Sequence, residues 1–398
     1  MVQRLRLQNF RSFKDATIEL RPLNIVVGAN ASGKTNLVQA FRFLRDLARS
    51  GLENAVALQG GAEYLTNLQS REREVTVELT IAPNRVAYTK GANRVGLIVE
   101  SIYHELTIQT IRSKNSARMA RETVEVRYVT TDGGVRTVRM TRRGKSVRLK
   151  APDSNILHAI FTGGNHFELD TRTSLFELTP VVLGLSPSLY EENIAIYDFS
   201  SKQVKHAISA ASPHILSEDG SNLPLVIQQQ LRDSRQRERL LRLMQSVLPY
   251  IQHLHTTMVD GQHVQLLFRE TYHDKRALPA ILLSDGTVEI VALVVALFFS
   301  RPSGGVVALE QPDRNLHPCL MGALMELFRA AAERNRVLIT THNSELVRHA
   351  ELDELVLVER DAEGNSIIRR SADQENVKIF LEEKVELDYL HTQQVLGV

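Results

Sequence analysis

The chain has 398 residues, enough to bury a large core in one large domain or in two lobes. Its composition, 43% hydrophobic and 24% charged, is that of an ordinary soluble protein, and no apolar run is long enough to cross a bilayer. The single cysteine, Cys319, excludes an intrachain disulfide and argues against a structural zinc site. The first residues contain no signal peptide, so we expect a cytoplasmic protein without membrane contacts.

The net charge of +2 is unevenly distributed along the chain. Residues 112–150 carry twelve Lys and Arg and three acidic residues, a balance of +9 that leaves −7 for the rest. This asymmetry fits a surface for phosphate polymers, and it fits a solvated β-meander equally well. Arg139 and Arg143 differ in parity from Arg136 and Arg142, so the cations do not all share one strand face. We therefore predict a mobile basic loop at 142–150 that could contact DNA.

The first half of the chain alternates apolar and polar residues over several short stretches, which predicts β-strands. An apolar strand is followed by an amphipathic helix near the N-terminus. Residues 152–190 give no clear pattern. The predicted elements are strands at 2–10, 16–20, 24–27, 75–81, 104–111, 123–129, 135–140 and 193–197, and a helix at 33–47.

The second half has a sharper pattern, in which helices and apolar strands alternate. Such alternation implies a mostly parallel sheet flanked by helices. The predicted helices lie at 223–231, 235–248, 285–299 and 318–334 and in a C-terminal tail from Glu375, and the predicted strands lie at 263–269, 305–310, 337–341 and 355–359.

Residues 28–35, Gly-Ala-Asn-Ala-Ser-Gly-Lys-Thr, match the phosphate-binding pattern G-x-x-x-x-G-K-[ST] between a strand and a helix. Backbone N–H groups and the helix N-terminus supply positive potential for phosphates. Lys34 is expected to reach the β- and γ-phosphates of ATP, and Thr35 to ligate Mg²⁺. The residues predicted to bind nucleotide are Gly28, Asn30, Ser32, Gly33, Lys34, Thr35 and Asn36.

Three further stretches carry candidate site residues. The apolar strand at 306–310 ends in Glu310, which suits a second Mg²⁺ ligand beside the P-loop. Ser284 is a predicted N-cap, and with Gly286 it could hold a γ-phosphate, although an ordinary capped helix explains the same residues. His342 follows another buried strand, where it could sense the γ-phosphate or hold the attacking water.

Taken in order, these motifs resemble the ATP-binding-cassette (ABC) ATPase heads of the SMC/RecF type. They are most similar to small ATPases grouped with overcoming-lysogenization-defect proteins and abortive-infection ATPases. The resemblance implies an α/β P-loop NTPase head, with a mostly parallel core sheet, helices and an antiparallel β lobe. It spans about residues 2–360 and is carried by residues 7–13, 28–36, 218–223, 283–287, 310–318 and 340–342.

The resemblance also implies how the site works. Two heads of a homodimer sandwich two ATP molecules, and each P-loop faces Ser284 and Gly286 of the other subunit. Arg11 lies near the nucleotide, and either Gln59 or Gln69 senses Mg²⁺. The chain divides into an N-terminal lobe (1–200), a helical and β connector (201–275) and a C-terminal lobe with the signature, Walker B and His-switch motifs (276–398).

One residue departs from the family pattern. Gln311 stands where a second acidic residue would polarise the attacking water, and a neutral amide cannot accept that proton. Loss of a positioned base typically costs about 10²–10⁴-fold in rate, so we expect slow turnover from a site of Glu310, Gln311 and His342. An engineered substitution, favoured by the otherwise intact motifs, or a natural weakening would each account for Gln311.

The leading functional hypothesis is an ATPase switch that dimerises with ATP and acts on DNA or on a nuclease or toxin from another gene. Phage defence or DNA maintenance would be its setting, and larger assemblies than a dimer fit as well. Residues 199–275 are too few for a long coiled coil, and the tail is too short for a Toprim nuclease. The alternatives are an ATP-binding regulator with little turnover and a transporter motor subunit.

Overall fold

The computed structural model contains three β-sheets, with helices packed around the central one. The tail predicted to be helical from Glu375, and most of the stretch 152–190, lie outside the described part of the chain. The structure describes residues 1–82, 87–88, 97–111, 115–130, 133–151, 165–175, 177, 194–273, 276–300 and 304–370.

The strands are numbered in chain order, and the helices likewise. The strands are β1 (Val2–Phe10), β2 (Phe13–Glu19), β3 (Leu23–Val27), β4 (Glu74–Ile81), β5 (Ala87–Tyr88), β6 (Leu97–Ile111), β7 (Ser116–Thr130), β8 (Val135–Arg143), β9 (Ser146–Lys150), β10 (His166–Glu168), β11 (Ile194–Tyr197), β12 (Ile208–Ser209), β13 (Ile251–Val259), β14 (His263–Glu270), β15 (Leu278–Pro279), β16 (Val306–Glu310), β17 (Arg336–Thr340), β18 (Leu355–Arg360) and β19 (Ser366–Arg370). The α-helices are α1 (Lys34–Leu58), α2 (Ala62–Leu65), α3 (Ser201–Val204), α4 (Leu223–Arg232), α5 (Ser234–Gln245), α6 (Asp285–Phe298), α7 (Met321–Ala332) and α8 (Ser344–Arg348).

The central sheet is parallel except at one edge. Its strand order is β11-β16-β17-β3-β18-β19, and only the hairpin partner β19 runs antiparallel to its neighbour. All five residues of β3 are buried, as expected for a strand covered on both faces. Successive side chains of this strand enter different cores, since Val26 packs in one hydrophobic cluster and Ile25 and Val27 in the other.

The two cores divide the molecule into layers. The first lies between the central sheet, helix α1 and a large antiparallel sheet of order β10-β9-β8-β7-β6-β4-β1-β2, with β5 paired to β6. The second lies on the other face of the central sheet and includes the apolar helix α6, helix α7 and a small antiparallel sheet of β12, β14, β13 and β15. The predicted parallel core with an antiparallel β lobe is therefore confirmed. The division at residues 200 and 275 stays a prediction.

Some elements differ from the sequence-based expectation. Helix α1 continues past residue 47 to Leu58, with a kink at Gly51, where φ is +78°. Strand β13 escaped prediction because few of its positions are buried, so it lacks an apolar alternation. Strand β19 was also missed. Among the described residues, no helix combines the length and the apolar character needed to span a bilayer.

The prediction of a mobile basic loop at 142–150 is wrong. Residues 135–143 and 146–150 form strands β8 and β9, which pair through a tight turn. The guanidinium of Arg142 is fully buried and forms an ion pair of 3.1 Å with Glu122. Arg143, the next residue, is exposed, because alternate side chains of a strand point to opposite faces.

Candidate nucleotide-binding site

Three parallel strands of the central sheet end side by side at one edge. Glu310 of β16 is level with Thr340 of β17, which is in turn level with Val26 of β3. The N–H of Thr341 donates to the carbonyl of Val26 at 3.1 Å, so the pairing extends to the strand ends. The P-loop, the Glu310–Gln311 pair and His342 follow these strand ends directly. Parallel strands thus bring three distant predicted motifs to one edge, where such folds bind their ligands.

The P-loop joins β3 to helix α1. The ammonium of Lys34 is buried and donates to the carbonyls of Gly28 at 2.6 Å and Ala29 at 2.9 Å, and burial lowers its pKa. Gly33 has φ of +119°, and a Cβ there would lie 2.2 Å from the hydroxyl of Ser366. Both the backbone conformation and the close approach therefore require glycine at this position.

The loop fits the phosphates of a nucleotide. The hydroxyl of Ser32 is buried and has no hydrogen-bond partner among the described residues, which is the type of group that a bound phosphate oxygen would satisfy. Asn30 and Thr35 are both exposed, Thr35 at the start of α1, where a helix N-terminus favours an anion. Asn36 instead turns away and donates to the hydroxyl of Ser12 at 2.8 Å.

The C-terminal hairpin of β18 and β19 holds the P-loop from outside. Arg360 donates twice to the carbonyl of Ala31, at 3.0 and 2.7 Å, and its third contact is the carbonyl of Gly364 at 2.7 Å. The hydroxyl of Ser366 donates to the carbonyl of Ser32. Sequence reasoning missed these residues. The signal was the turn-forming stretch 361–365 followed by the apolar pair at 367–368, which together indicate a hairpin.

Arg11 lies in the tight turn between β1 and β2, at φ of +50°. Its guanidinium donates to the side-chain oxygen of Gln59 at 3.0 and 2.7 Å and to the Gln59 carbonyl at 2.9 Å. Burial and the neighbouring Arg42 lower its pKa. The turn adjoins the P-loop through Ser12, which bonds Asn36. Gln59 is therefore the glutamine joined to Arg11.

The other glutamine considered for Mg²⁺ sensing lies elsewhere. The amide nitrogen of Gln69 is 2.8 Å from the position of a Cβ on Gly364, in the turn of the C-terminal hairpin. Gln69 thus packs on that hairpin, whereas Gln59 lies at the end of helix α1.

Glu310 is largely buried at the end of β16. Its carboxylate lies 3.2 Å from the guanidinium of Arg42, which is also 3.3 Å from Glu218. Burial raises the pKa of Glu310, Arg42 opposes the shift, and the acidic neighbours Asp198 and Glu218 add to it. Among the described residues, no group of three or more His, Cys, Asp or Glu forms a complete metal site. Mg²⁺ would therefore need Thr35, Glu310, water and the nucleotide itself, which matches its usual coordination.

Gln311 and His342 meet beside Glu310. The Gln311 amide nitrogen lies 3.1 Å from Nδ1 of His342, and Gln311 adopts a left-handed φ of +46°. Close to them is Asp313, a residue to which the sequence assigned no role. It is 5% exposed, one of its oxygens accepts from the hydroxyl of Thr341 at 2.7 Å, and burial raises its pKa. The other Asp313 oxygen is buried without a partner in the described chain.

The predicted signature opens helix α6. The hydroxyl of Ser284 accepts from the N–H of Thr287 at 3.2 Å, so Ser284 is an N-cap, as expected. Gly286 is required by packing, since a Cβ there would lie 2.9 Å from the carbonyl of Asn315. The hydrogen bond from Lys205 lowers the pKa of Asp285.

The signature is exposed and stands apart from the P-loop. Ser284 faces solvent, and the two residues Ile281 and Leu282 beside it are 48% and 68% exposed. Within the part of the chain that the structure describes, no hydrogen bond or ion pair joins residues 284–287 to residues 28–36. The parallel strand ends therefore assemble Lys34, Glu310, Gln311 and His342, and they leave Ser284 exposed and without a bond to the P-loop.

Two family models match the chain. One, described as AAA domain, putative AbiEii toxin, Type IV TA system, matches residues 149–348, about half of the chain, and one described as AAA ATPase domain matches residues 1–116. Among curated proteins, the DNA replication and repair protein RecF of Acetivibrio thermocellus is 31% identical over 131 residues, which are 29% of this chain and 35% of RecF. The chain thus spans about a third of the length of that relative.

Solved structures share the fold at low sequence identity. A structure of the SmcHead bound to the C-winged helix domain of ScpA has a TM-score of 0.54 and 15% identity, covering 92% of this chain and 97% of that chain. An Smc head domain with an extended coiled coil, bound to the C-terminal domain of ScpA derived from Pyrococcus furiosus, has a TM-score of 0.50 and 13% identity, covering 96% and 99%. The ATPase-head fold predicted from the order of motifs is confirmed.

Proposed function

The chain belongs to the family of AAA domains described as putative AbiEii toxin, Type IV TA system, and we propose on that premise that it is a switch that dimerises around bound ATP. Its fold is that of an ABC-type ATPase head of the SMC/RecF class. Each subunit contributes a P-loop to one nucleotide and a signature to the other. Binding and hydrolysis of ATP then control whether two heads are joined.

One observation supports this proposal most directly. The P-loop, Glu310 and His342 meet at one edge of the sheet, whereas Ser284 opens a helix, is exposed, and has no bond to the P-loop. Ile281 and Leu282 expose apolar area next to Ser284, as an interface would. A signature with no bond to its own P-loop can act on ATP when a second copy supplies it.

The residues around the nucleotide take separate roles in this proposal. Lys34 and the N–H groups of residues 28–35 bind the phosphates, and Arg360 holds the loop carbonyl that orients them. Thr35 and Glu310 hold Mg²⁺, which when bound neutralises charge on the phosphates. His342 contacts the γ-phosphate or the attacking water in this proposal, and its 3.1 Å contact with Gln311 supports a shared position for the two side chains.

Slow turnover is part of the proposal. Gln311 occupies the expected base position and has no proton-accepting carboxylate. Hydrolysis should therefore be slow, and the ATP-bound dimer should persist until it occurs. Gln311→Glu is expected to raise ATP turnover by about 10²-fold or more. Phosphate release in single-turnover assays measures it, with Gln311→Ala as the control that supplies no base. An unchanged rate in the Glu variant would instead favour an ATP-binding regulator with little turnover.

We propose that the switch acts on DNA or controls a partner effector. The relative RecF is named for DNA replication and repair, and the family description names a toxin of a toxin–antitoxin system. Both fit a head that changes its assembly state with ATP and passes that change to DNA or to a second protein, in DNA maintenance or phage defence. Exposed cations on strands β8 and β9 provide a surface for a polyanionic partner.

Sedimentation velocity with and without ATP and Mg²⁺ tests the switch. Wild type is expected to shift from monomer to dimer with ATP, and Ser284→Arg to remain monomeric because the new side chain obstructs the shared site. Ser246→Arg, a matched change at an exposed serine on the end of α5, should dimerise like wild type. A dimer that forms without ATP, or one that tolerates Ser284→Arg, would contradict the proposal.

A further inference from the structure

A second concave site lies at the opposite end of the parallel strands from the P-loop. Its volume is about 760 Å³, within the range of about 300–1,000 Å³ typical of small-molecule sites. Walls come from the antiparallel sheet, from the last strand β19, from Arg21 just before β3, and from the start of β17. The lining residues are Gln3, Arg4, Thr17, Glu19, Leu20, Arg21, Thr80, Arg336, Ile368, Arg369 and Arg370.

Five of these lining residues are arginines, against a single carboxylate, Glu19. The surrounding protein neutralises this charge only in part. Arg21 pairs with Asp353 at 3.0 Å, and Arg369 lies 3.8 Å from Glu359. Neither of these two contacts involves Arg4, Arg336 or Arg370.

Among the described residues, no ion pair within 4 Å joins the other three arginines to a carboxylate. Arg4 is exposed, and Arg370 donates to the side-chain oxygen of Asn24 at 2.7 Å and to the carbonyl of Glu19. The Nε of Arg336 is buried without any hydrogen-bond partner in the described part of the chain. Burial and the positive neighbour Arg21 lower the pKa of Arg370 to about 10. Asp353 and Glu19 oppose this lowering, so the protein balances the positive charge of the groove only in part.

The positive charge of the groove indicates which ligands could bind there. Balancing several guanidinium groups inside one small cavity requires several negative charges within a few ångströms. A chain of phosphates carries them, whereas an isolated carboxylate supplies one. The planar guanidinium also donates two parallel hydrogen bonds to phosphate oxygens, a geometry that an ammonium group cannot reproduce.

We propose that this arginine-lined groove is a second anion site, which binds a small ligand with two or more linked phosphates. It is separate from the ATP site of the proposed function. The P-loop follows the carboxyl end of β3, whereas Arg21 precedes its amino end, and five strand residues span about 16 Å. Strand β17 begins at Arg336 in the groove and ends at Thr340 beside Glu310, so occupancy of the groove is positioned to influence the P-loop edge.

Isothermal titration with inorganic tripolyphosphate tests the groove, using the full chain with Lys34→Ala to weaken the P-loop. We expect one remaining site, at least tenfold weaker when Arg4→Gln, Arg336→Gln and Arg369→Gln are combined. Arg370 stays unchanged because its contacts with Asn24 and Glu19 hold the fold. A control triple of exposed cations, Arg136→Gln, Arg143→Gln and Arg148→Gln, should bind as before. Thermal unfolding of each variant confirms that it is folded.

Three results would overturn the proposal. These are the absence of binding once Lys34 is replaced, equal weakening in the control triple, and tripolyphosphate binding that inorganic sulfate at equal ionic strength reproduces. ATP separates the sources of the phosphate chain: affinity equal to tripolyphosphate supports recognition of the phosphates alone, and tighter binding supports a nucleotide. A DNA duplex that binds the groove more tightly than either would overturn it in favour of a phosphodiester ligand.

Discussion

Arg360 contacts the P-loop although 329 residues separate it from Ala31 in the chain. Its two hydrogen bonds to the Ala31 carbonyl hold a non-glycine residue at φ of +62°. Arg360→Gln is therefore expected to loosen the loop and weaken ATP binding about tenfold, since a hydrogen bond from a charged donor contributes about 1.5–3 kcal/mol. Calorimetric titration with ATP and Mg²⁺ measures the effect.

Lys14→Gln is the matched control for this prediction. Lys14 pairs with Glu363 in the turn of the same hairpin, and both side chains are exposed. Removing its charge should leave ATP affinity unchanged. Equal losses for the two variants would mean that the net charge of the hairpin, and not the contact with Ala31, supports the loop.

Asp313 gives a prediction of pH dependence. Burial raises its pKa in the folded protein above the unfolded value, so folded wild type takes up a proton more readily and gains stability as pH falls through that raised pKa. Asp313→Asn removes the ionisable carboxyl group, and with it this pH dependence of stability, but keeps an acceptor for the hydroxyl of Thr341. The melting temperature of the variant should therefore exceed that of wild type at pH 7, and the difference should shrink toward pH 4. A difference that grows on acidification would contradict the assignment.

At the scale of single residues, local motifs were predictable and long-range contacts were not. The P-loop is a contiguous pattern whose glycines are required by the backbone conformation, so Lys34 and Thr35 could be identified directly. Arg360 and Asp313 act through partners that are distant in sequence. Nothing in their immediate neighbours specifies those partners.

At the scale of elements, the antiparallel sheet contains a buried ion pair, Arg142 with Glu122, that could not be predicted from the sequence. Arg142 also donates to the carbonyls of Gly144 at 2.7 Å and Asp170 at 2.5 Å, and the hydroxyl of Ser174 donates to Glu122. The pair thereby fastens residues 170–175 onto strands β7 and β8. Its role is to join a loop to the sheet, and it does not present charge to a ligand.

Arg142→Ala is expected to destabilise the fold by about 3–5 kcal/mol, because it leaves the Glu122 carboxylate buried without its cation. Arg143→Ala is the control, since the neighbouring side chain points to solvent and should leave the unfolding midpoint unchanged. Urea denaturation followed by circular dichroism measures both. Similar midpoints for the two variants would show that the buried pair contributes little.

The alternation of side chains along a strand explains why the prediction of a loop at 142–150 was wrong. Parity predicted correctly that Arg142 and Arg143 lie on different faces, but not which face is buried. An arginine facing the core is unusual, so a solvated loop was the simpler prediction. Strand β19 was missed although the turn-forming stretch 361–365 precedes it, because the strand contains only two adjacent apolar residues and so lacks an apolar alternation.

At the scale of the whole molecule, the exposed cations of β8, of β9 and of the turn between them remain a candidate DNA surface. Arg136, Arg143, Lys145 and Arg148 face solvent, whereas Arg139 and Arg121 pair with acidic residues. If duplex DNA binds there, its affinity should fall with salt with a log–log slope of about −0.9 per phosphate contacted. Replacing those four exposed cations with Gln should flatten the slope and leave ATP binding intact, as measured by fluorescence anisotropy. Identical slopes would exclude this surface as the DNA site.

The overall architecture was the most predictable feature. The alternation of helices and apolar strands in the last third fixed a parallel sheet, and the order of the P-loop, signature, acidic strand and His342 matched one type of ATPase head. Local patterns alone do not test the proposed contact with a second subunit, because that contact depends on how the exposed Ser284 and the P-loop are placed in three dimensions.

The account rests most heavily on an ATP site shared between two subunits, and mixing two inactive variants tests it directly. Lys34→Ala lacks a working P-loop and Ser284→Arg lacks a working signature, so neither should dimerise alone with ATP. In a mixture, the P-loop of the Ser284→Arg chain meets the intact signature of the Lys34→Ala chain, which restores one complete site. Mass photometry of differently tagged chains should therefore detect ATP-dependent heterodimers in the mixture only. Failure of the mixture to associate, under conditions where wild type dimerises with ATP, would contradict the shared site.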